Sequence, residues 1–396
     1  VTPDVTLPFY NAFMMSLSIA HYRFELDPVE EVLLPARNKG VVLRGAFGKA
    51  FKEACCPNWP DWKNRECTGH LPNNDSCPVR ERCAYAIVFE PSPPLGSDRL
   101  SLNQDIPRPF VFKPPLEEKT IYAPGDPLCF DIVLAGSSRE FLPYFIVAFR
   151  ELGEQGIGLK RNGRRGRFRF SAVTAPNVIA RLSRSKPRDS SLRSEQAPQS
   201  IVYSDRDNLV RNIPAEITLK EIVERANALD PHRVTIRFLT PTILKYEEKV
   251  VREPEFHHIV RRLRDRVNAL ATFYGDGPLP WDFKDMGERA EKVKRIDNTP
   301  LLPGGEGSQP EADAPLAQVR GESGFRWIEA ERRSTKGWKK GITHDLSGFV
   351  GEATYEGDIK EFLPLLLLGE YLHVGKSAAF GLGRYTLVQE SDKRRE

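Results

Sequence analysis

Two stretches, REFLPYFIVAFRELG (139–153) and EFLPLLLLGEYLHVG (361–375), begin alike and sit in like surroundings. In each, the residues EFLP open an apolar helix, at 140–143 and at 361–364. Proline suits a first helical turn, because the N–H it lacks would have no intrahelical acceptor there. An alternating strand precedes each helix, DPLCFDIVLAG (126–136) and GFVGEATYEGD (348–358). A basic, glycine-containing loop and a further strand follow each, RFRFSAV (167–173) and GRYTLV (383–388). Extended backwards, the first unit gains a strand at 14–26, a helix at 41–54 and the strand FVFKP (110–114). The second gains VTIRFLTP (234–241), a helix at 255–275 and FRWIEAERR (325–333). The order β-α-β-β-α-β therefore occurs twice. The predicted class is α+β, two tandem ferredoxin-like (RRM-like, βαββαβ) domains.

A length of 396 residues agrees, being too great for one ordinary core. The first domain is placed at 1–175, with a cysteine-containing insertion at 55–90. A Ser/Arg/Pro-rich connecting segment covers 176–230, and the second domain covers 231–396. Within the latter, NTPLLPGGEGSQPEADAP marks a mobile insertion at 298–320, and a glycine-rich loop covers 375–383. Gly45 and Gly48 weaken the first predicted helix and suggest that something packs closely against it.

Net charge is only +4, but the positive charge is gathered in KRNGRRGRFRF (160–170), HHIVRRLRDR (257–266) and RRSTKGWKK (332–340). One such cluster is as well explained by a solvated surface. Three together favour an anionic partner, nucleic acid ahead of membrane, since no amphipathic anchor accompanies them. The longest apolar run, Phe362 to Leu368, is far too short to cross a bilayer. With no basic and apolar leader at the start, a cytoplasmic protein is expected.

The segments LRGAFGKAF (43–51), CAYAIVFEP (83–91) and LGEYLHVGKSAAFGLGRY (368–385), set on the duplicated order, resemble the CRISPR precursor-RNA processing endoribonuclease of the RAMP (repeat-associated) superfamily. That resemblance implies an enzyme that binds CRISPR repeat RNA and cleaves precursor crRNA without a metal. The ribose 2′-OH would attack phosphorus and leave 2′,3′-cyclic phosphate and 5′-OH ends. It also implies that Gly375, Gly381 and Gly383 let the backbone approach RNA, with Lys376 and Arg384 supplying charge. Arg44, Arg161, Arg164, Arg165 and Arg167 complete the expected RNA-binding set. A glycine-rich helix cap is the plainer explanation of Gly375 alone.

Such cleavage needs a base, an acid and cations for the developing charge. His373 closes a helix beside the loop, where the helix dipole favours an imidazolium; a packed capping histidine is the alternative. His21 lies where the first strand turns polar. Lys49, Lys52 or Lys376 would substitute if neither histidine acts. Cys56, Cys67, Cys77 and Cys83, with Cys55 and His70 nearby, would make a structural zinc site. No pair has tight C-x₂₋₄-C spacing, so reduced thiols or a disulfide remain the alternatives. No cofactor is expected for catalysis. The competing function is a non-catalytic RAMP subunit holding guide RNA among other CRISPR effector subunits. A DNA-binding or zinc-structured scaffold would explain the cysteines but not the duplication.

Overall fold

The structure, a computed structural model, describes residues 17–57, 59, 77, 79–91, 106–176, 199–206, 208–211, 215–296, 324–329, 333–334, 343–344 and 346–388. Its first unit runs β1 (Ile19–Pro28), α1 (Lys39–Cys55), β2 (Phe110–Lys113), β3 (Leu128–Ala135), α2 (Leu142–Gln155) and β4 (Phe168–Pro176). These strands lie antiparallel in the order β4-β1-β3-β2. The chain enters in the sheet's middle and fills its two edges with the second and fourth strands, as the ferredoxin-like order requires.

Within the stretch read as a connecting segment, β5 (Gln199–Ser204) and β6 (Leu209–Val210) extend the sheet beyond β4. Helix α3 (Leu219–Asn227) follows, opened by a capping box in which Thr218 and Glu221 satisfy each other's backbone N–H groups. Residues 298–320, and all but the ends of the 55–90 insertion, lie largely outside the described residues.

The second unit repeats the plan with β7 (Arg233–Thr242), α4 (Phe256–Tyr274), α5 (Phe283–Glu291), β8 (Lys294–Ile296), β9 (Phe325–Ile328), β10 (Gly348–Glu356), α6 (Leu363–Leu372) and β11 (Tyr385–Val388). Its sheet order is again fourth-first-third-second, β11-β7-β10 with an edge strand beyond. That edge is split. β8 pairs with one end of β10 at Thr354–Glu356, and β9 pairs with the other at Gly348–Gly351. The predicted strand at 325–333 therefore supplies only half of the edge.

Alternation along β1 explains how the units join. Ala20, Tyr22, Phe24 and Leu26 face α1 and α2, in a core with Phe47, Phe51, Phe145 and Phe149. Leu17 and Ile19 point the other way, into a core shared with α4, α6 and β7 of the second unit. Helix α6 (LPLLLLGEYL) is buried almost all round, from Leu363 to Leu372. An all-apolar helix has no solvent face to offer; here it lies between its own sheet and the open face of the first. Among the described residues no helix is long and apolar enough to cross a membrane.

Candidate nucleic-acid interface

The loop after α6 lies across the first unit. A short turn, Ala378–Phe380, seats on α1 and β2. Gly40 of α1 faces the Phe380 carbonyl so closely that a Cβ would collide with it. Thr240 Oγ1 donates to the Gly381 carbonyl at 3.0 Å, and Arg384 Nη1 donates to the Pro114 carbonyl at 3.0 Å. Gly375, Gly381 and Gly383 all take left-handed backbone, with φ of +82°, +86° and +69°. The space beside each is already filled by a carbonyl oxygen, of Ile243, Phe112 and Val374 respectively. Gly381 thus lets the loop close on the first unit, whereas Gly375 and Gly383 let it close on its own unit. Lys376 stands exposed on the same loop.

Both candidate histidines are buried. His373 is 0% exposed and ends α6 at φ 60°, ψ 166°, a backbone region that non-glycine residues rarely enter. Its Nδ1 lies 3.1 Å from the Leu382 carbonyl, which assigns the ring proton to Nδ1; Nε2 is buried with no hydrogen-bond partner. Burial, reinforced by Lys113, Arg384 and Arg266, holds its pKa well below the usual histidine value. The imidazolium expected at the helix end is therefore the disfavoured form, because burial and three cations act against the dipole. His21 is 1% exposed, with Nε2 3.0 Å from Asp131 and its ring edge-on to Tyr371 of α6 at 5.7 Å. Arg23 donates to the same carboxylate at 2.8 Å. Burial works to raise the Asp131 pKa, but His21 and Arg23 outweigh it and hold the group below the usual carboxylate range.

Cations collect along this seam. The Arg44 guanidinium carbon lies 4.1 Å from the Phe89 ring centroid and 4.4 Å from that of Phe380, one ring from each unit. Burial and the nearby Arg108 bring its pKa down to about 9. Lys113 reaches across to the Glu370 carbonyl and the Tyr371 ring. Arg266 donates through Nε to the Leu372 carbonyl at 2.8 Å while Nη2 is buried without a partner, and burial lowers its pKa to about 10. Glu370, an acid at the centre, is already engaged: it accepts from Arg225, Thr386 and the Leu387 N–H. The cations Arg44, Arg108, Lys113, Arg266 and Arg384 thus line a junction built from both units.

Comparison with known proteins bears on that junction. Residues 236–385 match the family CRISPR-associated endoribonuclease Cas6, and residues 17–196 match a family described as an N-terminal domain. The match to that endoribonuclease family thus falls on the second unit and its loop. Similar solved structures include Thermus thermophilus Cas6, at 16% identity and TM-score 0.44, covering 94% of this chain and 99% of that one. A Cas6-related protein from Pyrococcus furiosus stands at 14% and 0.34, covering 94% and 99%. A partial Cas6-RT-Cas1–Cas2 complex stands at 11% and 0.48, covering 94% and 46%. No curated protein matches.

The remaining expected sites of this chain are distributed around the seam. Lys49 is on the exposed side of α1, 3.5 Å from Gln155. The basic loop is a hairpin, Ile157–Arg161 with Arg164–Gly166. Arg161 pairs with Glu31, Arg167 with Glu30 and Arg169 with Asp27, acids from the end of β1 and the turn after it. Among the described residues no acid pairs with Lys160, Arg164 or Arg165. The cluster on α4 is likewise engaged internally: Arg261 with Glu291, Arg262 with the Lys245 carbonyl, Arg264 with Asp265. Of RRSTKGWKK, only residues 333–334 are described.

The zinc expectation finds no support. Cys56, Cys77 and Cys83 belong to no group of three or more His, Cys, Asp or Glu residues able to hold a metal among the described residues. Cys67 and His70 lie outside those residues. Cys55 is a free thiol whose pKa burial pushes up to about 12. Sequence reasoning missed Arg108 and Lys113, and took Arg266 only as part of the basic stretch 257–266. Lys113 carried one readable signal, a charged residue in the apolar alternation of FVFK.

Proposed function

We propose that the chain binds CRISPR repeat RNA across the cationic seam between its two units and cuts precursor crRNA by attack of the ribose 2′-OH. The seam is the observation that carries this reading. Partly desolvated cations attract a polyanion more strongly than solvated surface charges do. The nucleophile belongs to the RNA, so the protein needs only to align the 2′-oxygen with phosphorus, move two protons and hold the developing charge. The products are a 2′,3′-cyclic phosphate and a 5′-OH, and no step calls for a metal.

The exposed Lys376 is better able to reach RNA than either buried histidine, and it protonates the leaving 5′-oxygen or neutralises the phosphate. Lys49, also exposed, lies toward the basic hairpin and serves binding. Buried and partnered, His21 and His373 position the seam. Arg164 and Arg165 meet flanking phosphates. The Arg384 guanidinium and Gly381 hold the loop against the first unit.

Repeat RNA incubated in EDTA tests the reading. Cleavage is expected with a cyclic phosphate end, and a single 2′-deoxy nucleotide before the cut abolishes it while binding persists. Cleavage that requires a divalent ion overturns the chemistry. Tight binding of intact repeat RNA without cleavage makes the chain a guide-holding subunit of a CRISPR effector complex instead.

A further inference from the structure

Arg44, like Arg266, carries a buried side-chain nitrogen that no acceptor meets among the described residues. Its Nε is wholly buried and has no hydrogen-bond partner. No acid among the described residues pairs with its guanidinium. Glu90, which acts on its charge through space, accepts a hydrogen bond from the Tyr85 hydroxyl at 3.2 Å. Phe89 and Phe380 stabilise the charge through their ring faces but supply no acceptor for its N–H groups. Arg108, held by the Phe89 carbonyl at 2.9 Å, adds a second positive charge nearby. A partly desolvated cation in this condition has no hydrogen-bonded acid among the described residues.

The local sequence builds that condition. A Cβ at Gly48 would strike the Phe89 ring, so glycine there lets the ring lie on α1. Phe89 itself ends a single π-helical turn, Tyr85–Phe89, a distortion often found at functional sites. Directly after Arg44 in sequence, a Cβ at Gly45 would meet nothing within 4 Å among the described residues. One ring comes from the first unit and one from the second, so the site exists only when the units are docked.

We infer that Arg44 is a catalytic residue that grips a non-bridging oxygen of the scissile phosphodiester. The inference rests on the cleavage reading above. A planar fork of N–H donors matches a phosphate's paired oxygens. As the 2′-oxygen bonds to phosphorus and the bond to the 5′-oxygen breaks, one proton leaves the 2′-OH and one arrives at the 5′-oxygen. Arg44 keeps all its protons and stabilises the extra charge on phosphorus. A cation out of bulk water does this better than a solvated one, which suits flanking phosphates such as those met by Arg164 and Arg165.

The test compares wild type, Arg44→Ala and Arg44→Lys in single-turnover cleavage of repeat RNA, with binding measured on the 2′-deoxy RNA. Arg44→Ala should slow cleavage by about 10²–10³-fold, with affinity changed only a few-fold. Arg44→Lys should recover part of the rate, since an ammonium keeps the charge but not the fork. Stereopure phosphorothioates at the cut provide a readout that a merely structural role would not move. Wild type should discriminate between the two diastereomers, and Arg44→Ala should lose that preference. Should Arg44→Ala fail to fold, the same comparison on Arg44→Lys decides, through a reduced preference. Wild-type rates in both variants, or an unchanged diastereomer preference in a slow one, overturn the inference alone. Wild type that cuts no repeat RNA overturns the cleavage reading and the inference with it.

Discussion

At the scale of single residues, burial decides which titratable groups are free to act. His373 is neutral in the folded state because burial and three neighbouring cations depress its pKa below 6.5. In the unfolded chain it titrates normally, so between the two pKa values the unfolded state binds more protons. Its stabilising contribution is present above about pH 6.5 and is lost as the pH falls below that value. Urea denaturation from pH 8 to pH 5 should show stability declining, with a smaller decline in His373→Gln. His257 and His258 are shifted in the same direction, His258 to about 4, so the difference between wild type and variant is the quantity to read. An equal slope in both would return His373 to an accessible site. Asp131 behaves oppositely: its depressed pKa makes its contribution present above the usual carboxylate value and lost in acid. Asp131→Asn, depriving His21 and Arg23 of this counter-charge, should cost about 3–5 kcal/mol in urea denaturation at neutral pH.

At the scale of elements, two glycines separate strain from mere flexibility. Gly383 has φ +69° and no room for a Cβ beside the Val374 carbonyl. Gly383→Ala should destabilise by about 1–3 kcal/mol from backbone conformation alone, before the collision is counted. Gly45 sits in the interior of α1 with nothing within 4 Å of a Cβ among the described residues, and Gly45→Ala should stabilise by about 0.5–1 kcal/mol. Thermal or urea unfolding of both variants checks the contrast. The basic hairpin divides in a similar way. Arg161 and Arg167 are committed to Glu31 and Glu30, whereas Arg164 and Arg165 have no such acid among the described residues. Charge reversal at Arg164 and Arg165 should weaken RNA binding at low salt. It should also lower the slope of log affinity against log salt by about 0.7–0.9 for each phosphate no longer neutralised. Reversal at Arg161 and Arg167 should do less. Equal effects in the two pairs would show that the acids do not compete with RNA.

At the scale of the whole molecule, the two units share one apolar core. Leu17, Ile19, Val111 and Val133 of the first sheet are packed in the same cluster as Leu263, Leu366, Leu368 and Tyr371 of the second unit. Separating the units would expose the apolar side of α6 to water. Unfolding in urea should therefore follow one transition, coincident by circular dichroism and by tryptophan fluorescence. Two separated transitions would mean that the units are independently stable.

The duplicated order of elements was legible in the residues themselves, because EFLP recurs before two apolar helices and each helix is bracketed by alternating strands. Local chemistry suffices there: proline placement, period-two burial and glycine punctuation act over a few residues. The apolar run of α6 also announced a buried helix, though not that a second sheet would bury its far side. Which charges are usable was decided only by the tertiary structure. Arg161 and Arg167 meet acids 130 and 137 residues away, and Lys113 meets the Glu370 carbonyl 257 residues away. His21 was read as aimed at the groove and His373 as either catalytic or packed, and docking of the units buries both. Arg44 lost most of its solvent for the same reason, with no acid among the described residues brought to meet it. Charge and polarity are written residue by residue, but their solvation depends on what distant chain folds over them.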